Sequence, residues 1–143
     1  MKKGTLYHGA VGVGKTTRLR AEYEAVESKG KRWITARDVT RKAIGQGLAG
    51  VENLGRNYLD LFIDDIGHEP LTAGHFGTVF SPLAELIQAR YDSYMEWPAW
   101  EQTLHITTNL SPEELRVRYG DYILDRLVEM CDWVHIEGQS FRK

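Results

Sequence analysis

Short apolar runs alternate with longer stretches of helical period along this chain, a pattern that predicts a parallel α/β sheet. Five runs read as strands: residues 5–8, 32–35, 59–64, 104–107 and 133–136. A first helix should open at Lys15, with Leu19, Tyr23 and Val26 on one face. On its other face Arg18/Glu22 and Arg20/Glu24 are spaced to pair one turn apart. Ser81 and Pro82 offer an N-cap and an N1 proline for a second helix that buries Leu83, Leu86, Ile87, Tyr91 and Tyr94. Ser111-Pro112-Glu113-Glu114 is a capping box opening a third. A fourth spans residues 121–130, with Ile123, Leu127 and Met130 facing inward. Four glycines in residues 45–55, and the Gly- and His-containing stretch 67–77, read as mobile loops on the ligand side of the sheet.

The 143 residues suffice for one domain and one core, so residues 1–143 are expected to form a single unit. With 18 Lys+Arg against 20 Asp+Glu, the net charge of −2 excludes a surface built throughout for neutralising nucleic-acid phosphates. Nucleic acid would have to meet a local patch, such as Lys29/Lys31/Arg32 or Arg37/Arg41/Lys42. No apolar run reaches the ~18 residues of a membrane span, and no signal-peptide core follows Met1. Cys131 is the single cysteine, which excludes an internal disulfide and makes a reducing cytoplasm the expected setting. The five histidines have neither an i,i+4 pair nor a cysteine companion, so zinc is not expected. The aromatic segment 94–100 is expected to pack on the core, with base stacking or partner docking as alternatives.

Gly9-Ala10-Val11-Gly12-Val13-Gly14-Lys15-Thr16 matches G-x-x-x-x-G-K-[ST] between a predicted strand and a predicted helix. Chance would place these four fixed residues in about 0.5% of chains of this length, given average composition. Glycines let the backbone wrap closely enough for several N–H groups to face one phosphate chain, and the helix start adds its partial positive charge. Lys15 would carry its charge to the β and γ oxygens, Thr16 would bind Mg²⁺, and Thr17 would complete the nucleotide site. ATP with Mg²⁺ is the expected ligand.

Asp60-Leu61-Phe62-Ile63-Asp64-Asp65 is an apolar strand ending in two carboxylates. In a P-loop sheet a strand beside the first delivers an aspartate to the Mg²⁺ shell, a role that falls to Asp64. Asp65 would then face the γ-phosphate and orient and deprotonate a water. Asn109 ends another apolar strand, expected beside that of Asp64, where its amide can touch the same phosphate.

At this point the chain resembles the AAA+ ATPases, in particular the DnaC/IstB-like branch of helicase loaders and transposition helpers. The resemblance rests on the P-loop form G-x-x-G-x-G-K-T, on Phe62-Ile63-Asp64-Asp65-Ile66-Gly67-His68-Glu69-Pro70 and on Ile106-Thr107-Thr108-Asn109-Leu110 leading into Ser111-Pro112-Glu113-Glu114-Leu115. Tyr119-Gly120-Asp121-Tyr122-Ile123-Leu124-Asp125-Arg126-Leu127 resembles box VII, and Gln139-Ser140-Phe141-Arg142 the closing S-[YF]-R. It implies a three-layer P-loop NTPase of the ASCE type, with a central parallel five-stranded sheet flanked by helices. Asn109 would be sensor 1, Arg126 an arginine finger reaching a neighbouring subunit's site, and Arg142 a sensor-2 arginine. The implied activity is ATP hydrolysis in a homo-oligomer that controls a replicative helicase or transposase, with single-stranded DNA as a further contact. Because the P-loop begins at Gly9 and the sequence stops just past Arg142, a bare core without partner-binding or lid domain is expected. A non-catalytic nucleotide switch and a small-molecule P-loop kinase are the alternatives.

Overall fold

The computed structural model describes residues 2–12 and 14–137, so the expectations placed on Val13 and on Gln139 to Arg142 lie outside the described residues. The chain runs through β1 (Gly4–His8), α1 (Lys15–Ala25), β2 (Lys31–Thr35), α2 (Ala36–Arg56) and β3 (Asp60–Ile66). There follow β4 (Ala73–His75), β5 (Thr78–Phe80), α3 (Pro82–Glu96), β6 (Thr103–Thr108), α4 (Pro112–Tyr119), α5 (Asp121–Met130) and β7 (Cys131–His135). The five expected strands form one sheet in the order β2-β3-β6-β1-β7, parallel throughout.

Alternation along the strands sorts the side chains into two layers. Leu6, Ile34, Leu61, Ile63, Leu104 and Ile106 face a core shared with the buried sides of α2, α3, α4 and α5. Tyr7 and Phe62 face the opposite side, where Leu19 of α1 closes a smaller core. Three layers result, with α1 the one helix among the described residues on its face. The i,i+4 ion pairs expected on α1 do not form among the described residues. Glu22 instead accepts the Thr5 hydroxyl at 3.2 Å, and Arg20 lies 3.8 Å from the Trp33 ring centroid.

Residues 45–55 are not a loop; they form the second half of α2. The helix opens on a capping box, with Asp38 N–H donating to Thr35 Oγ1 at 3.2 Å and Thr35 N–H to Asp38 Oδ2 at 2.8 Å. Its buried face is mostly small residues, with Val39 far along the chain from Val51 and Leu54, so its apolar period is weak in the sequence. At Gly47 the helix breaks (φ 70°, ψ −161°), a conformation that favours glycine, and a Cβ there would lie 2.5 Å from the His75 ring. His75 Nδ1–H donates to Ile44 O at 2.8 Å across the break. That histidine belongs to an antiparallel hairpin, β4–β5, that begins within the stretch expected to be a loop. Its two-residue turn places Phe76 and Gly77 at φ 48° and 83°, the positive pair such turns require.

Beneath the sheet, Arg90 of α3 is 1% exposed and donates to Gly55 O (3.1 Å), Leu59 O (2.8 Å), Thr103 O (2.7 Å) and Tyr58 O. It thereby ties the end of α2 to the starts of β3 and β6. Of the aromatic segment only Tyr94 enters the core. Trp97 and Trp100 lie past the end of α3, stacked on each other at 5.0 Å and half exposed. Among the described residues no helix is long and apolar enough to cross a membrane.

Candidate nucleotide site

The loop of residues 9–14 leaves the C-terminal end of β1 and enters α1 at Lys15. At Gly9 a Cβ would lie 2.4 Å from Ile136 O, so only glycine lets the chain pass under the exit of β7. Lys15 is buried, and its Nζ donates to Gly9 O at 2.9 Å and Ala10 O at 2.7 Å. Burial pushes its pKa below the usual lysine value, while Asp65 and Asp64 pull it back up. The loop thus folds around a cation held by its own carbonyls.

Opposite stands the acidic end of β3. Thr16 Oγ1 donates to Asp64 at 3.0 Å (Oδ1) and 3.3 Å (Oδ2). The strand of Asp64 is not beside β1 as the sequence suggested, because β6 pairs with both and lies between them. That interposed strand brings Thr107, whose hydroxyl donates to Asp64 Oδ1 at 2.5 Å and accepts Asp65 N–H at 2.8 Å. Thr107 lies in the Ile106–Leu110 stretch that resembles a sensor-1 strand, but its place behind both carboxylates follows only from the strand order. The β3–β6 register shifts between Ile63 and Ile66, and Asp65 takes φ 62°, a conformation aspartate tolerates. The irregularity leaves Asp65 exposed just beyond Asp64.

These groups converge on a cavity of about 380 Å³. The loop side supplies Val11, Gly12, Gly14, Lys15, Thr16 and Thr17, and the strand ends supply Asp64, Asp65, Thr107 and Asn109. Gly9 and Ala10 line an adjoining recess of about 370 Å³ with His8 and His135, and Asn109 borders both spaces. The Asn109 amide Nδ2 donates to His68 Nε2 at 3.1 Å. Arg126 does not join the group. Its guanidinium lies 4.2 Å from the Tyr91 ring centroid and 5.1 Å from that of Tyr122, over α3.

The donors present suit a triphosphate and a hard cation. A hydroxyl and a carboxylate already within hydrogen-bond reach form an oxygen pair of the kind Mg²⁺ selects. A buried ammonium and the start of α1 supply positive charge for phosphate oxygens.

The fold has counterparts among solved structures. No family model matches the chain, and no curated protein does. Among solved structures, the DnaC helicase loader is 24% identical with a TM-score of 0.66, over 94% of this chain and 78% of that one. DnaI is 17% identical with a TM-score of 0.66, over 98% of this chain and 73% of that one. AMPPCP-bound DnaA from Aquifex aeolicus is 19% identical with a TM-score of 0.62, over 96% of this chain and 41% of that one. The fold is therefore that of a P-loop NTPase. More narrowly, it is the fold of the DnaC helicase loader's solved structure.

Proposed function

We propose that this chain is an ATP-binding AAA+ core that hydrolyses ATP when assembled and thereby controls a DNA-processing partner of the kind helicase loaders serve. The convergence of Lys15, Thr16, Asp64 and Asn109 on one cavity carries the reading. Residues 9–12 and 14–17 would hold the phosphates through backbone N–H groups, Lys15 and the start of α1. Thr16 and Asp64 would hold Mg²⁺, which when bound neutralises charge on the β and γ oxygens. Asp65 would orient the attacking water and take its proton, and Asn109 would touch the γ-phosphate. The neighbours named for helicase loading and the AMPPCP-bound DnaA support this role.

Among the described residues no arginine lines the cavity. An arginine finger is typically worth about 10³–10⁵ in rate. In this reading a second copy supplies the finger, its Arg126 leaving the tyrosine clasp to reach across. The same clasp favours a second reading, a non-catalytic switch in which ATP only stabilises a partner-binding shape. A small-molecule kinase leaves Asn109 and Arg126 without a role. ATP hydrolysis measured against protein concentration, with and without single-stranded DNA, decides between them. Specific activity that climbs with concentration and releases free phosphate is expected. Nucleotide binding with no turnover at any concentration would establish the switch instead.

A further inference from the structure

The Asn109 amide enters the cavity already engaged on one side, and its partner, His68, has no part in the scheme above. His68 is exposed on the turn that follows the acidic strand end, and it shares a second cavity of about 270 Å³ with Asp64, Asp65 and Arg37. Both ends of the Asn109–His68 contact are clamped from behind. On the turn, Gly67 N–H donates to Glu69 Oε1 at 2.7 Å, and the buried Glu69 carboxylate also accepts Tyr119 Oη at 2.6 Å and Arg118 Nη2 at 3.2 Å. On the strand, Thr108 Oγ1 donates to Ile66 O at 2.8 Å and accepts Leu110 N–H at 3.1 Å. The two pieces pack so closely that a Cβ at Gly67 would lie 2.7 Å from Leu110 Cδ1. Residues 68 and 109 are therefore held face to face by contacts that involve neither side chain.

We propose that His68 is a positioning residue that fixes the end-for-end orientation of the Asn109 amide and so lets the site tell a triphosphate from a diphosphate. The inference rests on the reading of the cavity as a triphosphate site. An asparagine amide has two unlike ends, and its terminal torsion is soft. Its NH₂ end attracts a phosphate oxygen, and its carbonyl end repels one. With one Nδ2 hydrogen given to the bare Nε2 of His68, the NH₂ end faces the turn after the acidic strand end, and its second hydrogen meets no acceptor among the described residues and can serve a γ-phosphate oxygen. Without the ring acceptor the amide can turn its carbonyl to the phosphate, and the discrimination is lost. The β-phosphate is held by the loop and Lys15, so binding of a diphosphate does not depend on this contact.

Calorimetry with Mg²⁺ and either AMPPCP or ADP tests this without requiring turnover. The wild type should prefer AMPPCP. N109A and H68A should each cut that preference by about ten-fold, as expected for a hydrogen bond to a charged group, while affinity for ADP stays within about two-fold. The double variant should lose no more than either single one. H68Q, whose Oε1 can accept the same amide hydrogen, should keep the wild-type preference. If N109A loses the preference and H68A retains it, the role of His68 is overturned and the site reading stands. Losses that add in the double variant, or an H68A defect shared equally by ADP, also overturn it. If N109A retains the preference, or the wild type binds neither nucleotide, the underlying reading fails and this one with it.

Discussion

The Thr107 hydroxyl donates to Asp64 Oδ1 at 2.5 Å while accepting the backbone N–H of Asp65 at 2.8 Å. One side chain thus orients the first carboxylate and anchors the backbone of the second. Behind a metal ligand, the role proposed for Asp64, partners of this kind are typically worth about 10–100-fold in metal affinity. Thr107→Val keeps the shape of the side chain and removes both bonds. It should raise the Mg²⁺ concentration needed for ATP binding by about ten-fold. Titration of Mg²⁺ against a fluorescent ATP analogue reads this directly, and an unchanged midpoint would remove Thr107 from the site.

Lys15 is the charge around which the loop closes, so its loss should be felt by the nucleotide before the fold. Lys15→Ala should abolish the rise in melting temperature that ATP produces. A ligand at a hundred times its dissociation constant stabilises by about 2.7 kcal/mol, an effect well within reach of a thermal-shift assay. An undiminished ATP-induced shift in the variant would count against the site.

That a glycine-rich turn from strand to helix faces an acidic strand end was legible in the sequence, because both patterns are fixed by local residue spacing. The five strands and α1, α3, α4 and α5 were legible through apolar period and through the residues that cap them. Ser81 marks where α3 begins, yet its side chain makes no capping hydrogen bond. The small-residue face of α2 hid its period, and Phe76-Gly77 lacks the Asn or Asp that usually announces a hairpin. Strand order is not written locally at all. That β6 lies between β1 and β3 depends on crossovers, and with it went the role of Thr107. The contacts Asn109–His68 and Arg126–Tyr91 span 41 and 35 positions respectively, beyond what any periodic pattern can show.

Arg126→Ala should bind ATP as the wild type does, because its guanidinium lies over Tyr91 and outside the cavity. Turnover in the assembled state should fall by about 10³-fold or more if the arginine acts on a neighbour. Asp65→Asn should likewise bind ATP and lose hydrolysis. Mixing the two variants creates interfaces in which an intact Arg126 faces an intact Asp65. Phosphate release should therefore recover in the mixture, and a mixture as inactive as its components would argue against a shared site.

Stability should carry a pH signature from His105. Thr5 N–H donates to its Nδ1 at 3.2 Å, so Nε2 holds the proton and donates to Thr103 Oγ1 at 2.8 Å. Thr103 in turn donates to Asp60 Oδ1 at 2.6 Å, while the ring stacks on Phe62 at 4.2 Å. A second proton would displace the Thr5 bond, and burial pushes the ring's pKa down to about 4. In the unfolded chain the ring titrates near its ordinary value of about 6.5, so between the two values the unfolded state binds the extra proton. Stability is complete above that window and falls as the pH drops through it, by up to about 1.4 kcal/mol per unit. Burial also lowers the pKa of His8, which adds to the fall in the same direction. Urea unfolding from pH 7 to 5 should show this slope, and His105→Gln should reduce it by close to one proton. The glutamine can accept from Thr5 and donate to Thr103, so the variant should fold. Equal slopes in the two proteins would mean that His105 takes up its proton as readily folded as unfolded.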